Sequence, residues 1–211
     1  MTLSINILES NSQIQKLIYT ALAKEINKLI NKNSNKVLRE LKQQIREWVL
    51  QSPEVASLLA QGLDFSLNAL FGLTPGSPSS AVEAIASSVA EATSITVSKV
   101  SPSDLTGNIS FHFQPEDFGN LLGLPEGHQL SEEGIDLHWL DWLLTKGDSI
   151  IVQGYFYDPQ GEGRSGGGTM KLGGTFRVPP EFSGTLDNNF ITRVFDGKQK
   201  AIQSVLARAM T

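Results

Sequence analysis

The residues through which this 211-residue chain could do chemistry are three histidines and a scatter of carboxylates. His112 lies in an alternating stretch that reads as a strand, His128 in a glycine- and proline-rich loop, and His138 in a stretch that reads as a helix. Spread in this way they show no metal-ligand spacing, so no metal site is expected. Glu132, Glu133 and Asp136 stand just ahead of that helix, where carboxylates favour the positive end of the dipole, and no DxDxDG calcium loop is present. Asp141, Asp158, Glu162, Glu181 and Asp187 are the residue type a two-carboxylate hydrolase needs, but no spacing pairs any two of them. The chain has no cysteine, which removes disulfides, thiolate metal sites and thiol catalysis together. Residues 161–168, GEGRSGGG, lack the GxxxxGK[ST] arrangement of a phosphate loop. No catalytic, cofactor-binding or metal-ligating residue is expected, and the chain reads as a non-enzyme. The competing readings are a small carboxylate-dependent hydrolase or carbohydrate-active domain working near Trp139, Trp142 and Tyr155, or an adaptor protein that forms no ring.

The elements that would position these groups are clearer. Residues 149–157 are β-branched and aromatic, turn through DPQGEG, and return at 170–178 as a second apolar run. Met170, Leu172, Phe176 and Val178 share one parity, which predicts a hairpin over 149–178 with one buried face. Pro179 and Pro180 end it, and residues 186–210 read as a C-terminal helix. The glycine tip is either mobile or ordered only against a partner. Residues 11–50 carry apolar side chains at three- and four-residue spacing, as one helix or as two with a bend at NKNSN, 31–35. Ser52, Pro53 and Glu54 open a second helix, and Ser80 is expected to cap another over 81–92. Residues 95–97 and 109–113 alternate as short strands; 115–134 is read as an irregular excursion and 135–145 as a short helix. The predicted fold is α+β: a small antiparallel sheet with a long hairpin, packed by helices, plus the amphipathic N-terminal helical region and the C-terminal helix. Residues 1–72 form the helical region and 73–211 the α+β core.

Charge is segregated. Residues 1–50 hold eight Lys/Arg against four acids, whereas 51–140 hold one Lys against eleven acids. Opposite fields of this kind steer copies of a chain towards one another. The candidate contact residues are Lys24, Lys28, Lys32 and Trp48 of the N-terminal region, Arg164, Gly166 and Gly167 of the glycine tip, and Arg177, Phe182 and Arg193 beyond it. The first residues, MTLSINILES, do not read as a signal peptide, and no apolar run is long enough to span a bilayer.

The block RSGGGTMKLGGTFRVPPEFSGTLDNNFITRVF, residues 164–195, resembles the C-terminal part of the neck, head–tail connector or tail-completion proteins of tailed bacteriophages. In that family a hairpin and an "F…G…FI.RA" turn lead into the last helix; here the turn reads Phe182, Gly184, Phe190, Ile191 and Arg193, with Val194 where a small residue is common. The resemblance implies a structural virion protein with no enzyme activity and no cofactor. It implies a ring of six or twelve copies at the head–tail junction, assembled in the host cytoplasm. Its partners would be portal, adaptor, neck, tail-tube or sheath-terminating proteins, with no membrane contact and nucleic acid met only in the ring lumen.

Overall fold

A computed structural model describes residues 9–131 and 134–210. The readings made on residues 1–8 and on Glu132 and Glu133 lie outside the described residues. The N-terminal region is one helix, α1 (Asn11–Leu50), opened by a capping box in which Ser10 and Gln13 satisfy each other's backbone N–H groups. The NKNSN stretch does not break it: Ile30 and Val37 are buried on either side of it, and the Ser34 hydroxyl donates back to the Asn31 carbonyl at 3.2 Å within the helix. Its inner stripe buries Val37, Leu41, Ile45, Trp48 and Val49, while Leu17, Ile18, Leu22 and Leu29 stay exposed on the outer face.

The second helix forms as expected, α2 (Pro53–Leu59) with Ser52 accepting from the Val55 N–H. The apolar stripe beyond it is interrupted at left-handed Gly62 and resumes as the single turn α3 (Leu67–Leu70). The next helix, α4 (Ser77–Ala92), starts three residues before the expected cap, since Gly76 makes the left-handed entry and Pro78 is tolerated in the first turn.

The strands pair as three separate two-stranded antiparallel ladders: β1 (Ser94–Val97) with β2 (Ile109–His112), β3 (Gln129–Leu130) with β4 (Asp136–Leu137), and β5 (Val152–Asp158) with β6 (Thr169–Phe176). The short helix α5 (Gly119–Leu122) anchors the 115–134 excursion through buried Phe118 and Leu121. The α+β class and the long hairpin are as predicted. The parity of the returning strand is not, since Leu172 is 79% exposed while Phe176 and Val178 are buried. Gly173 and Gly174 both adopt positive φ beside a register shift, and such an irregularity rotates the strand before the core is reached. The predicted C-terminal helix is split at left-handed Gly197 into α7 (Phe190–Val194) and α8 (Gln199–Met210).

The glycine tip packs against its own chain. The Gly163 N–H donates to the Gly167 carbonyl at 2.8 Å, and Ser165, Gly167 and Gly168 are buried. A β-carbon on Gly167 would lie 2.6 Å from that of Ala69, so only glycine permits this approach. The main core has Leu41, Ile45, Leu58, Ile85, Trp139, Leu143 and Phe190 at its centre, and a smaller cluster of Ala23, Ile30 and Val100 lies apart from it. No helix among the described residues is long and apolar enough to cross a membrane.

Candidate metal centre

The site grows from the segment read as loop followed by helix. A 3-10 turn, Pro125–Gly127, delivers the chain into β3, and β4 leads into α6 (Trp139–Thr145). The ladder pairs Gln129 with Leu137 and Leu130 with Asp136. Continued by one step, this register sets His128 opposite His138. Directly opposed residues and residues two apart on a strand share a face, so His128, Asp136 and His138 project from the same side of the hairpin. Gln129 and Leu137 turn to the other side, where the Gln129 side-chain oxygen accepts from the Thr74 N–H at 3.3 Å.

The base is rigid. Trp139 is 1% exposed, and its indole N–H donates to the Glu126 carbonyl at 3.1 Å across the mouth of the hairpin. Phe71 packs on the Trp139 ring at 5.6 Å between centroids. Gly127 is buried against Leu140, where an added β-carbon would stand 3.0 Å from the leucine's own. His128 and His138 are thereby carried on two strand ends fixed to the core.

The Asp136 carboxylate lies 3.0 Å from Nδ1 of His128 and 3.1 Å from Nε2 of His138, and the two imidazole centroids are 3.8 Å apart. Each residue offers one ligand atom, and the three atoms lie within 4.8 Å of one another. Tetrahedral zinc with donors at 2.0–2.1 Å places them about 3.3 Å apart, and the two carboxylate–imidazole distances, 3.0 and 3.1 Å, are close to that. The cation would replace the protons now shared between imidazole and carboxylate. Side-chain exposures of 29%, 46% and 51% for His128, Asp136 and His138 leave the donors open to solvent. The hydrogen bond from His128 chiefly, with the charge of both histidines, holds the Asp136 carboxyl below the usual carboxylate range despite some desolvation.

Asp141 stands nearby in charge but is occupied. Burial alone would raise its pKa; hydrogen bonds from Thr145 and Lys146, with the charges of Lys146 and His138, leave it lowered. Its Oδ2 pairs with Lys146 Nζ at 2.9 Å. The two-carboxylate arrangement looked for near Trp142 and Tyr155 is not assembled: Glu162 is the one acid among the described residues lining the cleft there.

Other candidates are scattered. His112 sits on β2, away from the other two histidines, and Lys24, Lys28 and Lys32 are exposed along α1. Trp48 and Gly167 are buried within their own chain, and Phe182 is half-buried against the core. Gly166 is exposed, Arg177 pairs with Asp148 at 2.8 Å, and Arg193 pairs with buried Glu54 at 2.8 Å. Arg164 staples the glycine tip, donating through Nη1 to the Leu130 carbonyl at 2.9 Å and through Nε to that of Gly72.

No family model matches the sequence, and no curated protein or solved structure matches it. The chemistry of the chain itself must therefore carry the functional conclusion. The convergence of His128, Asp136 and His138, three groups that could hold a metal ion, corrects the reading of scattered histidines and the expectation that the chain is not an enzyme. With it falls the purely structural, ring-forming neck role. Part of the clue was available in sequence, since Asp136-x-His138 read as a strand places two ligands on one face; His128 joins them only through the pairing register. Reading 135–145 as one helix concealed it.

Proposed function

We propose that this protein is a divalent-metal hydrolase in which His128, Asp136 and His138 hold a zinc-class ion. The carrying observation is three converging donors, two imidazoles and one carboxylate, on the solvent face of a rigidly based hairpin. Nitrogen and oxygen donors of this kind suit first-row ions, and three protein ligands leave a position for water, whose pKa the ion lowers towards neutrality. The same donor set serves iron-dependent oxygenases. Hydrolysis is favoured because this site is open to bulk water, whereas reactive oxygen chemistry calls for a shielded pocket.

The test has two arms. Cobalt(II) added to the intact protein should give visible d–d absorption saturating at one equivalent, competed by zinc(II) and abolished in His128→Ala. The zinc-loaded protein should then cleave p-nitrophenyl acetate or bis(p-nitrophenyl) phosphate faster than His128→Ala, with activity lost to chelator. Absence of saturable cobalt binding overturns the site. Binding without ester or phosphodiester cleavage, or oxygen consumption by the iron(II)-loaded protein, overturns the hydrolytic assignment.

A further inference from the structure

On the opposite side of the β3–β4 hairpin from the metal ligands lies a cleft of about 400 Å³, bounded by α3, α6, the β5–β6 hairpin and the glycine tip. That volume lies within the range of small-molecule sites. Leu137, the residue between the two ligands Asp136 and His138, lines this cleft. The walls are aromatic and aliphatic: Phe71 and Trp142, with ring centroids 6.1 Å apart, face a space also lined by Tyr155 and Met170. Flat apolar surfaces of this kind accept a planar ring.

One cation lies in the lining. Arg164 is half-buried, with Nε committed to the Gly72 carbonyl and Nη1 to the Leu130 carbonyl. Nη2 has no acceptor among the described residues. The guanidinium is thus held by two main-chain groups with a donor edge left over, an arrangement that favours carboxylate recognition. Glu162 also reaches the cleft, but it is exposed and no described hydrogen bond fixes it. A preorganised cation outweighs a mobile, hydrated anion at the same rim.

From this geometry we infer that the cleft binds a small planar aromatic molecule carrying one carboxylate, its ring between Trp142 and Tyr155 and its anion on Arg164. The site uses none of the three metal ligands and stands independently of the hydrolase assignment. Calorimetric titration of the full-length protein in the presence of EDTA separates the two. The probes are 2-naphthoate, the neutral 2-naphthylmethanol and the cationic 2-naphthylmethylammonium. Naphthoate should bind at one site, about tenfold or more tightly than the alcohol, and Arg164→Gln should erase that preference. Because Arg164 also staples the tip, Met170→Trp provides the second variant: it fills the cleft with Arg164 intact, and should lose naphthoate binding without lowering Tm. Equal or tighter binding of the alcohol or the ammonium, no saturable naphthoate binding at millimolar concentration, or unchanged binding in Met170→Trp overturns the inference.

Discussion

Two polar constellations in this molecule have opposite fates. At the corner joining α2 to α7, Glu54 is 3% exposed and accepts from Arg193 Nη2 at 2.8 Å, while Arg193 Nη1 donates to Asn188 at 3.2 Å. Beside it Asn189 is fully buried, accepts from the N–H groups of Ile191 and Thr192, and donates to the Thr185 carbonyl at 2.9 Å. The buried groups there, Glu54 and Asn189, are satisfied by their own chain, as a buried charge or amide requires. At the β3–β4 hairpin, two histidines and a carboxylate converge instead on solvent, and among the described residues their side chains hydrogen-bond only to one another. A closed set of partners serves the fold; an open set of donors on a rigid base is available to a ligand.

That contrast breaks most visibly at the buried pair. Arg193→Ala strands the Glu54 carboxylate and should cost about 3 kcal/mol, the lower end for a broken buried pair because the arginine side chain is one-third exposed. Urea unfolding measures this, and metal affinity in the folded variant should be unchanged. Next comes the open cluster: His138→Ala or Asp136→Ala should weaken zinc binding by more than about 100-fold, beyond the usual loss of an outer partner, with urea midpoints close to the parent. A smaller effect tests the base. Trp139→Phe keeps the buried ring but removes the indole donor to Glu126, and should cost about 1 kcal/mol. It should also lower zinc affinity about tenfold by loosening His128 against His138.

The smallest effect is set by pH. Asp136 titrates below its unfolded range, so its contribution to stability is present above the unfolded pKa and is lost as pH falls through the folded one. The stability difference between the parent and Asp136→Asn should therefore be small, largest near neutral pH, and vanish in strong acid. Metal occupancy should fall in an acid titration as well, because protons compete with the ion for its donors.

Much of the scaffold was legible because local signals agreed with tertiary packing. The Ser52–Pro53–Glu54 start survives intact, and the inner stripe of α1 from Val37 to Val49 is the face the core buries. Polar residues 31–35 left the continuity of α1 open, and packing on both sides of them settled it as one helix. Hairpin parity failed where paired glycines rotated the strand, an effect no alternation of side chains records. The site was illegible for a related reason. A two-residue ladder is too short for period two to register, so Asp136 and Leu137 were absorbed into the apolar period of the following helix. Only the pairing register sets His128 beside His138, and register is a tertiary fact.

The most direct test of the account is anomalous diffraction at the zinc edge from crystals of the intact protein grown with one equivalent of zinc. The account predicts a dominant peak within bonding distance of His128, Asp136 and His138 together. A map with no peak there, or with zinc held by other residues while these three keep only their mutual hydrogen bonds, would contradict it.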